Sequence, residues 1–284
     1  MRDVGVGVGV GVGVGVGVGV GVGVVEPGAE RGLMPKRVVI IGCGGIGSWL
    51  IDPLLCFLQS EGFKHYVALW DGDRYEAGNS VRQMFNPGDL NVNKAEAQII
   101  RCRDLYPALR LLSYDEYVTK RTIERAVQED DVVFSCVDNH PCRKLLALQA
   151  DKMDNVVLIT AGNEMTDGNV HLTLVREGRH LTTPLLERHP EIATTRAGDR
   201  TKASCQQRIA NGETQLLVTN HEAAALAFQV FHRVWRINSY ESLPEDTYFD
   251  VKRLQVSSME VHPNVSAVAV ASAANIAENG SAPA

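Results

Sequence analysis

The chain has 284 residues, 45% of them hydrophobic, 22% charged and 6% aromatic. That composition excludes a wholly disordered or fibrous protein and allows one large or two small globular domains. With 28 basic and 34 acidic residues the net charge is −6, which argues against a broad basic surface for nucleic acid. Six cysteines (Cys43, Cys56, Cys102, Cys136, Cys142 and Cys205) form no C-x-x-C pair. This is the pattern of free thiols in a reducing compartment, so a soluble, cytoplasmic protein is expected.

From Val4 to Val24 valine and glycine alternate without a break. The run is not a membrane span: each glycine costs about 1 kcal/mol in a helix relative to alanine, and no leucine, isoleucine or phenylalanine supplies insertion energy. No A-x-A-like cleavage site follows, so it is not a signal peptide either. Residues 1–35 are expected to be an unstructured low-complexity extension.

Strands and helices then alternate. Arg37–Ile41 is a short apolar run ending in glycines, as a buried parallel strand does. A helix is predicted from about Gly45 to Ser60, with Ile46, Leu50, Leu54 and Leu58 on one stripe. Val67–Trp70 reads as the second strand. A helix from about Lys94 to Asp104, a strand near Leu109–Leu112 and a helix near Thr122–Gln128 follow. Val132–Ser135 is the next apolar run, and Pro141 sits in the first turn of a helix reaching about Met153. Val156–Thr160 reads as another strand, and Asn169–Val175 alternates like an antiparallel edge. Residues 177–214 lack periodicity and are expected to form a mobile crossover loop. One long helix is predicted from Gln215 to about Trp235, and Thr247–Val256 as a returning strand. The tail 261–284 is expected to be disordered. The order predicts an α/β, Rossmann-like, doubly wound and mostly parallel sheet with helices on both faces, spanning residues 36–260.

The chemistry begins at Gly42-Cys43-Gly44-Gly45-Ile46-Gly47. Glycines between a strand and a helix let backbone N–H groups approach a phosphate at the positive helix end. Asp71, at the end of the second strand, can bind a ribose. These features point to an adenine nucleotide without separating NAD from ATP. Asp73, Asn79, Arg82, Gln83, Lys94 and Asp138 do separate them. Hydride transfer needs no cluster of arginine, lysine and acid beside the phosphates. Nucleotidyl transfer does, because pyrophosphate leaves with added negative charge. Arg82 and Lys94 suit phosphate oxygens, and Asp138 suits Mg²⁺.

Together, Gly42-x-Gly44-Gly45-x-Gly47, Asp71-x-Asp73, Asn79-x-x-Arg82-Gln83, Lys94-Ala95 and Asp138-Asn139 resemble the ThiF/MoeB/HesA family, the adenylating core of ubiquitin-activating enzymes. The likeness covers about residues 36–165. It implies ATP-dependent, Mg²⁺-dependent activation of the C-terminal carboxylate of a small ubiquitin-like or sulfur-carrier β-grasp protein as an acyl-adenylate. By that resemblance Asp71 binds the ribose, Asn79 and Arg82 the triphosphate, Lys94 the phosphates and Asp138 the Mg²⁺, in a homodimer with no nucleic-acid or membrane partner. Ser204-Cys205 with Gln215 and Asn220-His221-Glu222-Ala223-Ala224 is similar to stand-alone ThiF-type proteins of bacterial mobile-element (PRTRC-type) operons.

The chain departs from the family in three ways. It lacks the two C-x-x-C pairs that bind a structural zinc, and the R-x-x-R-Q motif whose arginine reaches a neighbouring subunit's ATP. Only Arg31 and Arg37 lie in that region. No downstream rhodanese-like or ubiquitin-fold domain of the kind larger members carry is expected.

Each residue has a plainer alternative. Arg82 could be an exposed loop charge and Lys94 a solvated first-turn residue. Asp138 could cap the helix at Pro141, a role Asn139 can also fill. Asp73 could serve the turn alone or help position Mg²⁺. Cys205 is either a nucleophile for a thioester or persulfide, with Lys202 and Arg208 lowering its pKa, or a free loop thiol. Cys43 and Cys136 read as buried packers, Cys142 has a mildly favourable helix field, and His221 and His232 read as structural. A nucleotide-binding scaffold without turnover and an NAD(P)-dependent oxidoreductase are the competing functions.

Overall fold

Alternation along the strands sets the layers. In the computed structural model, which describes residues 35–194, 217–236 and 243–260, Val38 and Ile40 of β1 (Arg37–Ile41) face one core while Val39 and Ile41 face another. Strands β2 (Tyr66–Trp70), β4 (Asp131–Ser135) and β5 (Val156–Asn163) divide in the same way. Both faces are therefore apolar, which is why these runs read as continuous hydrophobic stretches.

The first core packs against α1 (Gly45–Ser60), α2 (Lys94–Arg103) and a long helix, α7 (Leu217–Trp235). Phe57 of α1 meets Phe228, Phe231 and Trp235 of α7 edge-on, with ring centroids 5.7–5.9 Å apart. His221 lies against Trp49 and His232 against Phe57, both with centroids 5.4 Å apart, so both act as packing groups. The second core packs against α3 (Ile123–Ala126) and α4 (His140–Ala150).

Among the described residues one nine-stranded sheet has eight strands in the order β3-β2-β1-β4-β5-β6-β8-β9, with the ninth, β7, paired to β6 off this path; β3 is Arg110–Tyr114, β6 Asp167–Arg176, β7 Arg179–His180, β8 Pro244–Asp250 and β9 Gln255–Glu260. The pairs from β3 to β5 are parallel and the pairs from β5 to β9 antiparallel. The expected doubly wound sheet is present, with helices on both faces.

Three expectations are corrected. The run Asn169–Val175 is antiparallel but not an edge: β6 lies between β5 and β8, which is why its alternate residues on both faces are buried. Thr247–Val256 is not one strand. It is the turn and flanks of the β8–β9 hairpin, where Asp250 accepts hydrogen bonds from the amides of Lys252 and Arg253, and Leu254 takes φ +51°. The stretch 177–214 begins with ordered elements: β7 (Arg179–His180) pairs with β6, then come α5 (Leu185–Arg188) and α6 (Pro190–Ala193). Its remainder from 195, the extension before residue 35 and the tail after 260 lie outside the described residues. None of the helices among the described residues is long and apolar enough to cross a membrane.

Candidate nucleotide site

Parallel strands that diverge on either side of β1 leave a crevice at their carboxyl ends. The glycine turn, Asp71 and Asp138 all sit on that edge, following β1, β2 and β4 respectively. Gly42 takes φ +93°, and an added Cβ would come within 2.8 Å of the Cys136 carbonyl oxygen. A Cβ on Gly47 would lie 1.9 Å from the Gly42 oxygen, so the turn closes onto the helix only with glycine there. Helix α1 starts at Gly45 behind a Gly44 cap, with no side-chain cap and no acid in its first turn. Its N–H dipoles are left for an anion.

Asp71 ties the turn to the second strand. Its Oδ2 accepts from the Cys43 amide at 2.7 Å and its Oδ1 from the Asp73 amide at 2.8 Å. Burial raises its pKa, opposed by nearby Lys94 and these two N–H groups. Asn93 caps α2 by accepting from the Glu96 amide, and its Nδ2 donates to the carbonyls of Asp71 (2.7 Å) and Asp73 (3.0 Å). The cap therefore locks the acidic turn to the helix that presents Lys94. Lys94 is 5% exposed and its Nζ donates to Asp73 Oδ2 at 3.0 Å, which rules out the solvated first-turn alternative. Tyr117 donates to the other oxygen of Asp73. Burial pushes the Asp73 carboxyl up, but Tyr117 and Lys94 outweigh it and the net shift is downward.

Asn79 closes a short 3₁₀ turn, with its Oδ1 accepting from the Glu76 amide at 3.0 Å, and its carbonyl accepts from the amides of Arg82 and Gln83. Arg82 is not an exposed loop charge: it is 4% exposed, and its Nε is buried with no hydrogen-bond partner. The Arg82 carbonyl is pinned by Trp49 Nε1 (3.2 Å) and by Asn220 Nδ2 (3.3 Å). Gln83 is buried as well, with Oε1 unpartnered. An added Cβ on Gly44 would sit 3.7 Å from its Nε2. A buried donor without a partner costs about 1–3 kcal/mol, a cost that an anion in the crevice would remove.

Asp138 is exposed at the end of β4, and the capping alternative falls to Asn139, whose Oδ1 accepts from the Cys142 amide at 2.9 Å. Behind it Arg143 donates to the carbonyls of Val137 and Ala161. Cys205 lies outside the described residues. Cys43 and Cys136 are buried packers, as expected. Cys142 departs from expectation: burial, opposed by Arg143 and reinforced by Asp138, pushes its pKa up to about 12. Arg37 is paired with Asp131 at the opposite, amino-terminal ends of β1 and β4, at 2.6 Å and 3.0 Å, away from this edge.

Sequence reasoning missed Asn93, Tyr117 and Asn220 as parts of this edge. Asn93 carried a signal, a capping residue placed directly before Lys94. Tyr117 carried none.

The ThiF family profile matches residues 22–274. The SAMP-activating enzyme E1 of Haloferax volcanii is 32% identical over 123 residues, 43% of this chain and 44% of that one. The sulfur carrier protein ThiS adenylyltransferase of Escherichia coli is 30% identical over 133 residues, 46% and 51% of the two chains. The chain spans about half the length of these relatives. A crystal structure of E. coli MccB with ATP shares the fold at a TM-score of 0.57 and 18% identity, covering 81% of this chain and 66% of that one. With the glycine turn, the acidic turn and the buried basic pair all on one sheet edge, and the family profile running through them, the chain belongs to the ThiF family.

Proposed function

We propose that this chain is an ATP-dependent adenylyltransferase that activates the C-terminal carboxylate of a small ubiquitin-like or sulfur-carrier β-grasp protein. The observation that carries the reading is Arg82, a buried guanidinium with an unpartnered Nε, in the loop pinned to Trp49 and Asn220 beside the glycine turn. A hydride-transfer site has no need of such a group, and a triphosphate does.

In the proposed reaction a carboxylate oxygen of the partner attacks the α-phosphorus of ATP in line. The new O–P bond forms as the bond to the bridging oxygen of pyrophosphate breaks, and that oxygen leaves with the electron pair. No general base is needed, because a C-terminal carboxylate is ionised at neutral pH. The chain's own residues position and neutralise: the open start of α1 and the Gly42–Gly47 turn receive phosphate, and Arg82 and Lys94 counter the charge on the leaving group. Asp71 accepts from the ribose hydroxyls with the lone pairs that its two backbone bonds leave. Asn79 and Gln83 hold the loop that carries Arg82, and Asp73 orients Lys94. Mg²⁺, when bound, neutralises phosphate oxygens, and the exposed Asp138 carboxylate is the residue to hold it. The Cys205 thiolate then attacks the acyl carbon of the adenylate, forming a thioester as AMP leaves with the electron pair, or Cys205 carries a persulfide whose outer sulfur a separate sulfane-sulfur donor protein delivers. A homodimer working in the cytoplasm completes the reading.

The test is ATP–pyrophosphate exchange with Mg²⁺ and candidate β-grasp proteins. Exchange that appears only with one partner supports carboxylate adenylation and identifies the substrate. ATP binding without exchange for any partner would favour a scaffold, and binding of NAD in place of ATP would overturn the proposal.

A further inference from the structure

A second cluster of chemistry-bearing side chains lies away from the nucleotide crevice. His171 in β6 and Asp246 in β8 are direct cross-strand partners. His189, between α5 and α6, closes over them. His171 Nδ1 lies 3.3 Å from Asp246 Oδ1, and His189 Nε2 lies 3.2 Å from the same oxygen. One ligand atom from each of the three residues lies within 4.8 Å of the others.

The separations fit the edges of a metal-ligand tetrahedron. Ligands about 2.0–2.1 Å from a tetrahedral zinc ion are about 3.3–3.4 Å from one another, the edge of the tetrahedron. The contacts between the histidines and Asp246 are close to that edge. His171 is fully buried: its Nδ1 faces Asp246 Oδ1 at 3.3 Å as in an ion pair, while its Nε2 has no hydrogen-bond partner. Burying a polar atom without a partner is costly, and a metal ion on His171 would satisfy one of its ring nitrogens.

The surroundings match what holds metal ligands in place. Arg188 donates from Nε to Asp246 Oδ2 at 2.8 Å, which fixes the carboxylate and leaves Oδ1 turned toward the histidines. Outer hydrogen bonds of this kind orient metal-binding carboxylates. The Asn169 side-chain amide lies 3.3 Å from His189 Nε2 and 3.4 Å from Asp246 Oδ1. Its two ends are isosteric, so the rotamer turned by half a revolution offers an oxygen as fourth ligand. Imidazole and carboxylate together suit zinc among the divalent ions.

We propose that His171, His189 and Asp246, with the Asn169 amide oxygen or water in the fourth position, bind one structural Zn²⁺ that ties the α5–α6 segment to strands β6 and β8. The site lies on the antiparallel strands, and its ligands are separate from the ATP-binding residues proposed above.

The experiment uses the full chain without a histidine tag, stripped with a chelator and reloaded with Zn²⁺ or Co²⁺. Metal content is measured by mass spectrometry, and cobalt geometry by visible absorption. The expected result is about one ion per chain, a rise in melting temperature on loading, and an intense tetrahedral cobalt band with no thiolate charge-transfer band. His189→Ala, at a partly exposed position outside the strands, should abolish loading while circular dichroism stays unchanged. Arg188→Gln should weaken affinity about 10- to 100-fold. Because His171→Ala could fail to fold, His189→Ala and Asp246→Asn are the deciding variants. Wild-type protein that takes up no metal would overturn the proposal. So would wild-type metal content in both of those variants, or a cobalt spectrum dominated by thiolate.

Discussion

The side-chain amide of Asn220 donates to the main-chain carbonyl of Arg82 at 3.3 Å, across 138 positions of sequence. The same side chain accepts from Asn163 Nδ2 at 2.9 Å, and a Cβ on Gly45 would lie 2.8 Å from its Oδ1. Helix α7 thus reaches the glycine turn, the Arg82 loop and the end of β5 through one residue. Asn220→Ala is expected to raise the KM for ATP about tenfold with a smaller change in kcat, and to lower stability by about 1 kcal/mol. Steady-state exchange kinetics alongside thermal melts check this. Equal loss in kcat and KM with no change in melting would show that Asn220 does not position the loop.

Arg82→Ala should separate activity from stability. Exchange activity is expected to drop at least a hundredfold, while the melting temperature without nucleotide stays level or rises, because a buried unpartnered donor is removed. Most core truncations behave in the opposite way. A structural arginine would give a fall in melting temperature, so differential scanning calorimetry of the two proteins decides.

Two glycines of the turn should differ. Gly47→Ala puts a methyl 1.9 Å from the Gly42 carbonyl, and soluble expression or nucleotide binding should be lost. Gly44→Ala meets only Gln83 Nε2 at 3.7 Å, an ordinary contact. That variant should fold with a near-normal melt. Circular dichroism and ATP calorimetry on both variants provide the comparison.

Thiol reactivity should follow burial. Burial pushes Cys102, Cys136 and Cys142 up to about 12 and Cys43 well above its usual value, whereas Cys56 on α1 is exposed. The thiolate is the nucleophile, so at pH 8 the raised groups are almost wholly protonated and inert, and their labelling climbs only as pH approaches their pKa. Iodoacetamide followed by peptide mass spectrometry should modify Cys56 and spare Cys43, Cys102, Cys136 and Cys142. Rapid labelling of Cys142 at pH 8 would contradict the burial argument.

Local patterns write most of the first half of the fold into the sequence. Arg37–Ile41, the glycine turn and Gly45–Ser60 are each specified by neighbours, and the structure places them with the predicted bounds. Lys94 and Arg82 are legible as chemistry through their spacing from Asp71, but their burial is not. The crevice elements added by distant chain have no local mark: Asn220 touches Arg82 only because α7 packs on α1. Likewise, β6 reads as an edge because its pattern alternates. Its true neighbour, β8, lies beyond α7 in sequence, so the covering that buries it is invisible locally. The β8–β9 turn escapes prediction because Val251 to Leu254 contains no glycine, proline or asparagine. The only cue is Asp250, whose carboxylate folds the turn.

The switch from parallel to antiparallel pairing at β5 has an evolutionary consequence. Strands β1, β2 and β4 carry the glycine turn, Asp71 and Asp138 at their carboxyl ends, while β6, β8 and β9 extend the sheet beyond β5 and share its first core through β6 and α7. The β8–β9 hairpin, at the far end of the sheet from β3, can therefore change in length without redrawing the crevice. The Asn163–Asn220 contact is the seam between β5 and α7, and compensating changes should gather there when one side is exchanged.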